Sequence, residues 1–231
     1  MRPSEAVIAL SGVDALLTAA HERIASGLRF VAGDHLLWLL AETEAGAKLE
    51  GDARAKFEGA YAAIVRGHLE AVASKAAREL RDEATAAGIV DGRWTTPPAF
   101  DASGRAAQIA AAAFGRTQGK ALEDLAAGVV KPEPPALSSF GRLGRAHVSA
   151  VFNRARTAAV EANRGSLRGF VVERSAIQDR ETCPACRQLD GFQTEFDTSA
   201  YHLTQPPKKC DGGGNCRCIY VLIGKGEGGP A

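Results

Sequence analysis

The residues of this chain best suited to chemistry are its cysteines, and all five lie in the last quarter of the sequence. Cys183 and Cys186 form a C-x2-C pair, and after 23 further residues come Cys210, Cys216 and Cys218. A C-x2-C turn places two thiolates on one ion, as in zinc ribbons and knuckles. Cys216 and Cys218 would point to the same face if they begin a strand. The spacing therefore predicts a tetrahedral zinc site.

Five cysteines compete for the four positions of such a site. We expect Cys183 and Cys186 to supply one half of it. The other half is a choice within a larger set, namely Cys210, Cys216, Cys218 and, as a weaker candidate, His202. The alternatives to a structural metal are free buried thiols, an oxidised pair, or a catalytic cysteine or metal.

The composition of the cysteine region favours a structural metal over a catalytic one. Residues 170–223 contain few large apolar side chains, and a unit of that size is barely stable without a staple. Zinc can supply one because its binding is coupled to folding. A catalytic zinc keeps an open position and usually has histidine or carboxylate ligands, and the deaminase H-x-E does not precede this C-x2-C. We expect no enzymatic activity and no small-molecule substrate.

The bulk composition indicates a mainly helical globular protein. Hydrophobic residues make up 45% and charged residues 24% of the chain, whereas aromatic residues make up 6%. Alanine is abundant, and it is the best helix former. The net charge of +1 identifies no partner. The sequence shows neither a good signal peptide nor an apolar stretch near the roughly 18 residues of a membrane span, so we expect a soluble protein of a reducing cytosol.

The apolar periodicity predicts the helices that carry this region. The clearest helix has an apolar face from Phe57 to Leu80 and ends at Gly88. Ser103 is expected to cap a later helix. Further helices are predicted at 12–30, 34–48, 105–127 and 138–163, and strands at 167–173 and 219–223.

The proline-rich segment 131–137 is the expected domain boundary, because its prolines favour a stiff, extended linker. The predicted fold is mainly α, with a helical N-terminal region and a small C-terminal α+β module stapled by zinc. The corresponding segments are 1–130 for the helical region, 131–137 for the linker, 138–223 for the module and 224–231 for a disordered tail.

A run of arginines in the predicted helix 138–163 and just beyond it forms a local basic segment. Over residues 138–170 the arginines are accompanied by a single acid, Glu161. Arginine suits phosphate and carboxylate groups. The candidate contacts to nucleic acid or to a protein partner are Arg142, Arg145, Arg154 and Arg156. The alternative interpretation, which we favour, is that these arginines form a solvated face of the helix.

Four motifs in the cysteine region occur together in a fixed order. They are Asp179–Cys186 (D-R-E-T-C-P-A-C), Leu189–Gly191 (L-D-G), Pro206-Pro207 and Asn215–Cys218 (N-C-R-C). This order resembles the C-terminal signature of phage minor head proteins, the phage head morphogenesis family that includes the F-like protein of phage Mu. The preceding helix is similar too, at Arg145, Phe152-Asn153 and Arg156-Thr157, so that the resemblance covers roughly residues 138–222. One departure is that Cys210 lies where the family usually has a histidine, which makes Cys210 the candidate to replace it as a ligand.

The resemblance implies a virion component of low copy number that associates with portal and capsid proteins during head assembly. It would be found in the phage head, and in the host cytoplasm during assembly. Some members of the family bind DNA or affect its delivery. We therefore expect a structural minor head protein, with a DNA-binding zinc module as the alternative and an enzyme as the less expected third class.

Overall fold

A computed structural model describes residues 3–44, 51–88, 93–129, 133–175, 183–196, 198–201, 210 and 218–225. Side chains are described for these residues except 3–14, 38–44, 51–54, 142, 145, 146 and 225. The elements in chain order are α1 Pro3–Glu44, α2 Gly51–Ala86, α3 Ser103–Ala126, α4 Leu137–Ala162, β1 Phe170–Ser175, α5 Pro184–Gln188, β2 Gln193–Glu195 and β3 Ile219–Lys225. The chain is thus mainly helical with one small sheet, which confirms the predicted fold class. Within the described residues, no helix has a stretch long and apolar enough to cross a bilayer.

Helix α1 is a single helix where the sequence predicted two, at 12–30 and 34–48. Its buried face continues without a break through Leu28, Val31, Ala32, His35 and Leu36. The glycine at the expected break, Gly33, costs only about 1 kcal/mol relative to alanine in a helix. The burial of the residues on both sides outweighs that cost, so the helix continues.

Helices α2, α3 and α4 lie close to their predicted positions. Gly88 and Gly128 follow α2 and α3 with φ angles of 90° and 76°, values that favour glycine. The predicted cap at Ser103 is wrong, because Ser103 is already the first helical residue and Ala102 precedes it without a side-chain cap. Asp101 acts there instead, since its Oδ1 accepts a 2.9 Å hydrogen bond from the backbone N–H of Ser103.

The chain forms two compact units, and each is built from separate segments. Unit 1 comprises Met1–Leu17, Val72–Phe100 and Ser149–Ala231, and unit 2 comprises Thr18–Ala71 and Asp101–Val148. The segment 131–137, expected to separate two domains, lies inside unit 2, and Leu137 already begins α4. Three of the four transitions between units fall within helices α1, α2 and α4, and the fourth, between Phe100 and Asp101, falls in the loop before α3.

The sheet of unit 1 has the strand order β2-β1-β3 with both pairings antiparallel. The central strand β1 begins three residues later than predicted, and β3 extends to Lys225, two residues beyond its predicted end. Gly224 and Lys225, assigned above to a disordered tail, belong to β3, and residues 226–231 lie outside the described part. The sheet packs with the ends of α2 and α4 in one apolar core, made of Leu80, Ala84, Ala159, Val160, Leu167, Phe170, Val172, Phe196, Tyr220 and Leu222.

The core of unit 2 contains a buried histidine that the sequence analysis did not single out. The ring of His35 is stacked on Phe57 and Phe114, with centroid distances of 4.6 and 4.5 Å. Tyr61 meets His35 edge-on, and its hydroxyl lies 3.1 Å from Thr117 Oγ1. Burial lowers the pKa of His35 to about 4, and burial raises the pKa of Tyr61 to about 12. Both side chains are therefore neutral at physiological pH.

Candidate metal centre

The C-x2-C pair lies at the start of the short helix α5. Cys183 is extended, with φ −68° and ψ 154°, and Pro184 begins the helix. Proline suits the first helical position because its missing N–H would have no partner there. The carbonyl of Cys183 then accepts hydrogen bonds of 3.1 Å from the N–H groups of both Cys186 and Arg187. This turn brings the two thiols together, and both are buried.

Cys210 completes a group of three thiols. Its sulfur lies 3.8 Å from that of Cys183 and 3.5 Å from that of Cys186. All three sulfurs lie within 4.8 Å of one another, and all three residues are buried. None of them is in a disulfide. The structure therefore brings together the predicted C-x2-C pair and one of the three further cysteines.

The spacing of these sulfurs fits a tetrahedral metal site. With zinc–sulfur bonds of about 2.3 Å, two thiolates on one tetrahedral ion lie roughly 3.8 Å apart. The two measured separations, 3.5 and 3.8 Å, are close to that value. They are far longer than the disulfide bond length of about 2.05 Å. The group of Cys183, Cys186 and Cys210 can therefore hold a metal ion.

The other predicted ligands are placed differently. Cys218 is buried in the same cluster, but it does not belong to the group of three mutually close sulfurs. Its carbonyl accepts a 3.0 Å hydrogen bond from the side-chain amide of Asn153, which ties the start of β3 to α4. Cys216 and His202 lie outside the described residues. The choice of a fourth ligand among Cys216, Cys218 and His202 thus stays a prediction.

A fully buried arginine reaches the thiol group. Arg174 is 0% exposed, and its Nη2 lies 3.4 Å from Cys186 Sγ as a hydrogen-bond donor. Arg174 follows Phe170 and Val172 on the buried face of β1, since side chains alternate along a strand. Arg174 was not among the site residues predicted from the sequence. The sequence does contain a feature that could have identified Arg174. An arginine at an inward position of a short apolar strand requires a buried partner.

A second buried arginine, Arg156, was wrongly predicted to lie on the basic surface. Arg156 was a candidate for contacts with nucleic acid or a partner, but it is 0% exposed. It faces the interior of unit 1, where its guanidinium is bound to the carboxylate of Glu83 and to the carbonyl of Tyr220. Burial lowers the pKa of Arg156, but the carboxylate of Glu83, together with Tyr220 and Glu79, more than offsets burial and raises that pKa above its ordinary value. Arg156 therefore stabilises the fold and cannot contact a ligand at the surface.

The rest of the expected basic surface is only partly described. Arg154 is exposed, and so are Arg164 and Arg168, with Glu161 also exposed between them in sequence. The side chains of Arg142 and Arg145 lie outside the described part of the structure. Of the four candidate contacts, Arg154 is the one with a described, solvent-facing side chain.

Unit 2 has an apolar groove at the surface. The groove has a volume of about 770 Å³, and it is lined by residues of α1, by Glu133 and Pro134 before α4, and by Leu137 at the start of α4. Phe30 and Leu37 are 72% and 68% exposed there, and Leu137 is 42% exposed. Charged side chains at the groove are Arg29, Asp34 and Glu133. Exposed apolar side chains with charged neighbours are typical of surfaces that bind another protein.

Comparison of this chain with protein-family models, with curated proteins and with solved structures finds no match. The resemblance to phage minor head proteins accordingly depends on the sequence motifs themselves. Of the four motifs in the cysteine region, Cys183–Cys186, Leu189–Gly191 and Cys218 are described, whereas Asp179–Thr182, Pro206-Pro207 and Asn215–Arg217 lie outside the described residues.

Proposed function

We propose that this protein is a structural minor head protein of a tailed phage, whose C-terminal cysteine region is held together by a zinc ion on Cys183, Cys186 and Cys210. The observation that carries the proposal is the group of three buried, mutually close thiols, in which the separations of Cys210 from Cys183 and from Cys186 match tetrahedral spacing. Its place within the ordered motifs of the sequence supports the family assignment.

The chemistry of the donor set favours a structural role for the ion. Thiolate-rich sites are typical of structural zinc, whereas catalytic sites keep a position open for water or substrate. The three cysteines are at most 9% exposed, so a substrate has little access to an ion bound between them. The centre would join α5 to Cys210 and, through Arg174, to the central strand of the sheet.

A metal measurement tests the first half of the proposal. Reduced wild-type protein should contain about one zinc per chain by elemental mass spectrometry, and Cys183→Ser should contain far less. Ala185→Ser is the matched control, because it adds a hydroxyl to the same turn without removing a thiol. Reduced wild-type protein without bound metal would contradict the zinc centre.

Association with a portal protein is the second half of the proposal. The apolar groove of unit 2 is the surface that we expect the portal protein to cover, because Phe30 and Leu37 are largely exposed there. When the chain is co-expressed with the portal protein of the same phage, the two should co-purify. Phe30→Asp with Leu37→Asp should abolish co-purification while the zinc content is kept.

The result for DNA separates the proposal from its alternative. A DNA-binding module would retain duplex DNA with an affinity that falls steeply as salt rises. Such binding, together with failure to co-purify with the portal protein, would replace the structural proposal by the nucleic-acid one.

A further inference from the structure

We propose that Arg174 is the charge partner of the metal centre, and that its guanidinium sets how tightly the three cysteines hold their ion. The inference rests on the proposed zinc centre and adds to it a residue that is not a ligand. Arg174 is a positioning residue, since it acts through the sulfur of Cys186.

The geometry places the guanidinium at the cluster. The separation of 3.4 Å between Nη2 and Cys186 Sγ is within hydrogen-bond range for sulfur, and Arg174 is completely buried. A thiolate is a much better acceptor for such a bond than a neutral thiol, because a hydrogen bond to a charged group is roughly twice as strong. The contact is therefore strongest when Cys186 is a metal-bound thiolate.

The backbone of Arg174 is fixed to the turn that follows α5. Its N–H donates a 2.9 Å hydrogen bond to the carbonyl of Phe192, and its carbonyl accepts one of 2.9 Å from the N–H of Gly191. On the other side, Arg174 pairs with Tyr220 of β3. The residue is thus held between the strand that follows Cys218 and the turn that follows Cys186, with few ways to move away from the sulfur.

Charge balance explains why a cation is needed at this place. A divalent ion bound by three thiolates carries one net negative charge, and a fourth thiolate would make it two. A buried negative charge is costly unless a positive group is close and hydrogen-bonded to it. Arg174 supplies one positive charge in the interior. Together with an ion bound by three thiolates, it makes the net charge zero.

Competition for zinc provides the test. Zinc-loaded protein is titrated at fixed pH and under reducing conditions with a chromophoric chelator, for the wild type, Arg174→Gln and Arg174→Lys. We expect Arg174→Gln to bind zinc about 10- to 100-fold more weakly than the wild type, the usual effect of losing an outer-shell partner. Arg174→Lys keeps the charge and should retain more of the affinity. Arg187→Gln, an exposed arginine on α5, should bind zinc like the wild type.

Cobalt substitution gives a second readout, which remains usable if Arg174→Gln does not fold. A hydrogen bond to a thiolate stabilises the sulfur lone pairs and raises the energy of the sulfur-to-cobalt charge-transfer band. Arg174→Lys changes that hydrogen bond and should shift the band relative to the wild type. An unchanged band in Arg174→Lys, or wild-type zinc affinity in Arg174→Gln, would overturn the inference while leaving the zinc centre intact. A wild type that binds no zinc would overturn both.

Discussion

The guanidinium of Arg156 and the carboxylate of Glu83 form a two-point ion pair, with Nη1–Oε1 2.9 Å and Nη2–Oε2 2.6 Å. The same two groups bind the backbone of β3: Arg156 Nη2 donates to the carbonyl of Tyr220 at 2.7 Å, and Glu83 Oε2 accepts from the N–H of Leu222 at 3.1 Å. One ion pair therefore connects α2, α4 and β3. The aromatic rings of Phe152 and Tyr220 lie within 5.6 Å of the guanidinium and add cation–π contacts.

We expect Glu83→Gln to lower the free energy of unfolding by about 3–5 kcal/mol, because the change leaves the buried charge of Arg156 uncompensated. Urea denaturation followed by circular dichroism measures the effect. The control is Asp124→Asn, which breaks the more exposed pair between Lys120 and Asp124 and should cost less than about 1 kcal/mol. Equal losses of unfolding free energy for the two variants would show that the buried ion pair contributes no more to stability than the exposed one.

The stacked histidine predicts a loss of stability in mild acid. The pKa of His35 is about 4 in the fold, against 6.5 for the free side chain. Between these values the unfolded chain takes up a proton that the folded chain does not, so the free energy of unfolding decreases as pH falls. From pH 7 to pH 5 this amounts to about 2 kcal/mol. Urea denaturation at both pH values measures it.

His35→Phe should remove most of this pH dependence. The larger ring can shift stability by a similar amount at every pH, so the difference between pH 7 and pH 5 is the quantity to compare. His68→Gln is the control, because His68 is only partly buried and should leave most of the acid effect in place. If His35→Phe loses as much stability between pH 7 and pH 5 as the wild type does, groups other than His35 cause the loss.

Removal of the proposed zinc ion should destabilise unit 1 selectively. In the presence of a chelator, hydrogen exchange of the β1 amides from Val172 to Ser175 should become faster, because zinc binding is coupled to the folding of its surroundings. The α3 amides from Ile109 to Phe114 belong to unit 2 and should keep their protection. Faster exchange in both units alike would argue that the ion stabilises the whole chain.

A close helix contact predicts opposite effects for two glycines of α1. A Cβ at Gly27 would lie 2.6 Å from Ile64 Cγ2, whereas a Cβ at Gly33 would meet nothing within 4 Å. Gly27→Ala should therefore lower the free energy of unfolding by about 1–3 kcal/mol. Gly33→Ala should raise it by roughly 0.5–1 kcal/mol, the usual gain in a helix interior. Thermal denaturation distinguishes the two, and a stabilised Gly27→Ala would show that α1 and α2 can separate at no cost.

The sequence was sufficient for the helices and strands that have a long or regular apolar pattern. The apolar face from Phe57 to Leu80 lies within α2, and the apolar run at 219–223 lies within β3. The short elements α5 and β2 were not predicted, because five and three residues are too few to show a period. The sequence predicted two helices where α1 is one, because the sequence pattern does not show how the residues on either side of Gly33 pack. Their burial keeps the helix continuous through Gly33.

For the candidate site, the spacing of Cys183 and Cys186 in the sequence was enough to predict that their thiols lie together, since a C-x2-C turn is local. The residues that surround these thiols were not predicted. The partners of Arg156 and Arg174 are 73 and 12 residues away in sequence, and only the fold brings them together. An arginine in a helix with a polar face is usually solvated, and for this reason Arg156 was assigned to the surface.

Because unit 1 is made of separate segments of the chain, it cannot be isolated as one continuous fragment. A fragment that begins at residue 138 contains the cysteines and the sheet, but it lacks Glu83, Leu80 and Ala84. Such a fragment would expose the apolar side of its sheet and carry the unpaired charge of Arg156. Any fusion, truncation or exchange between related chains that is meant to retain this unit has to carry all three of its segments, residues 1–17, 72–100 and 149–231. In evolution, the segments 72–100 and 149–231, which share the core and the Arg156–Glu83 pair, are expected to be inherited together although about fifty residues separate them in sequence.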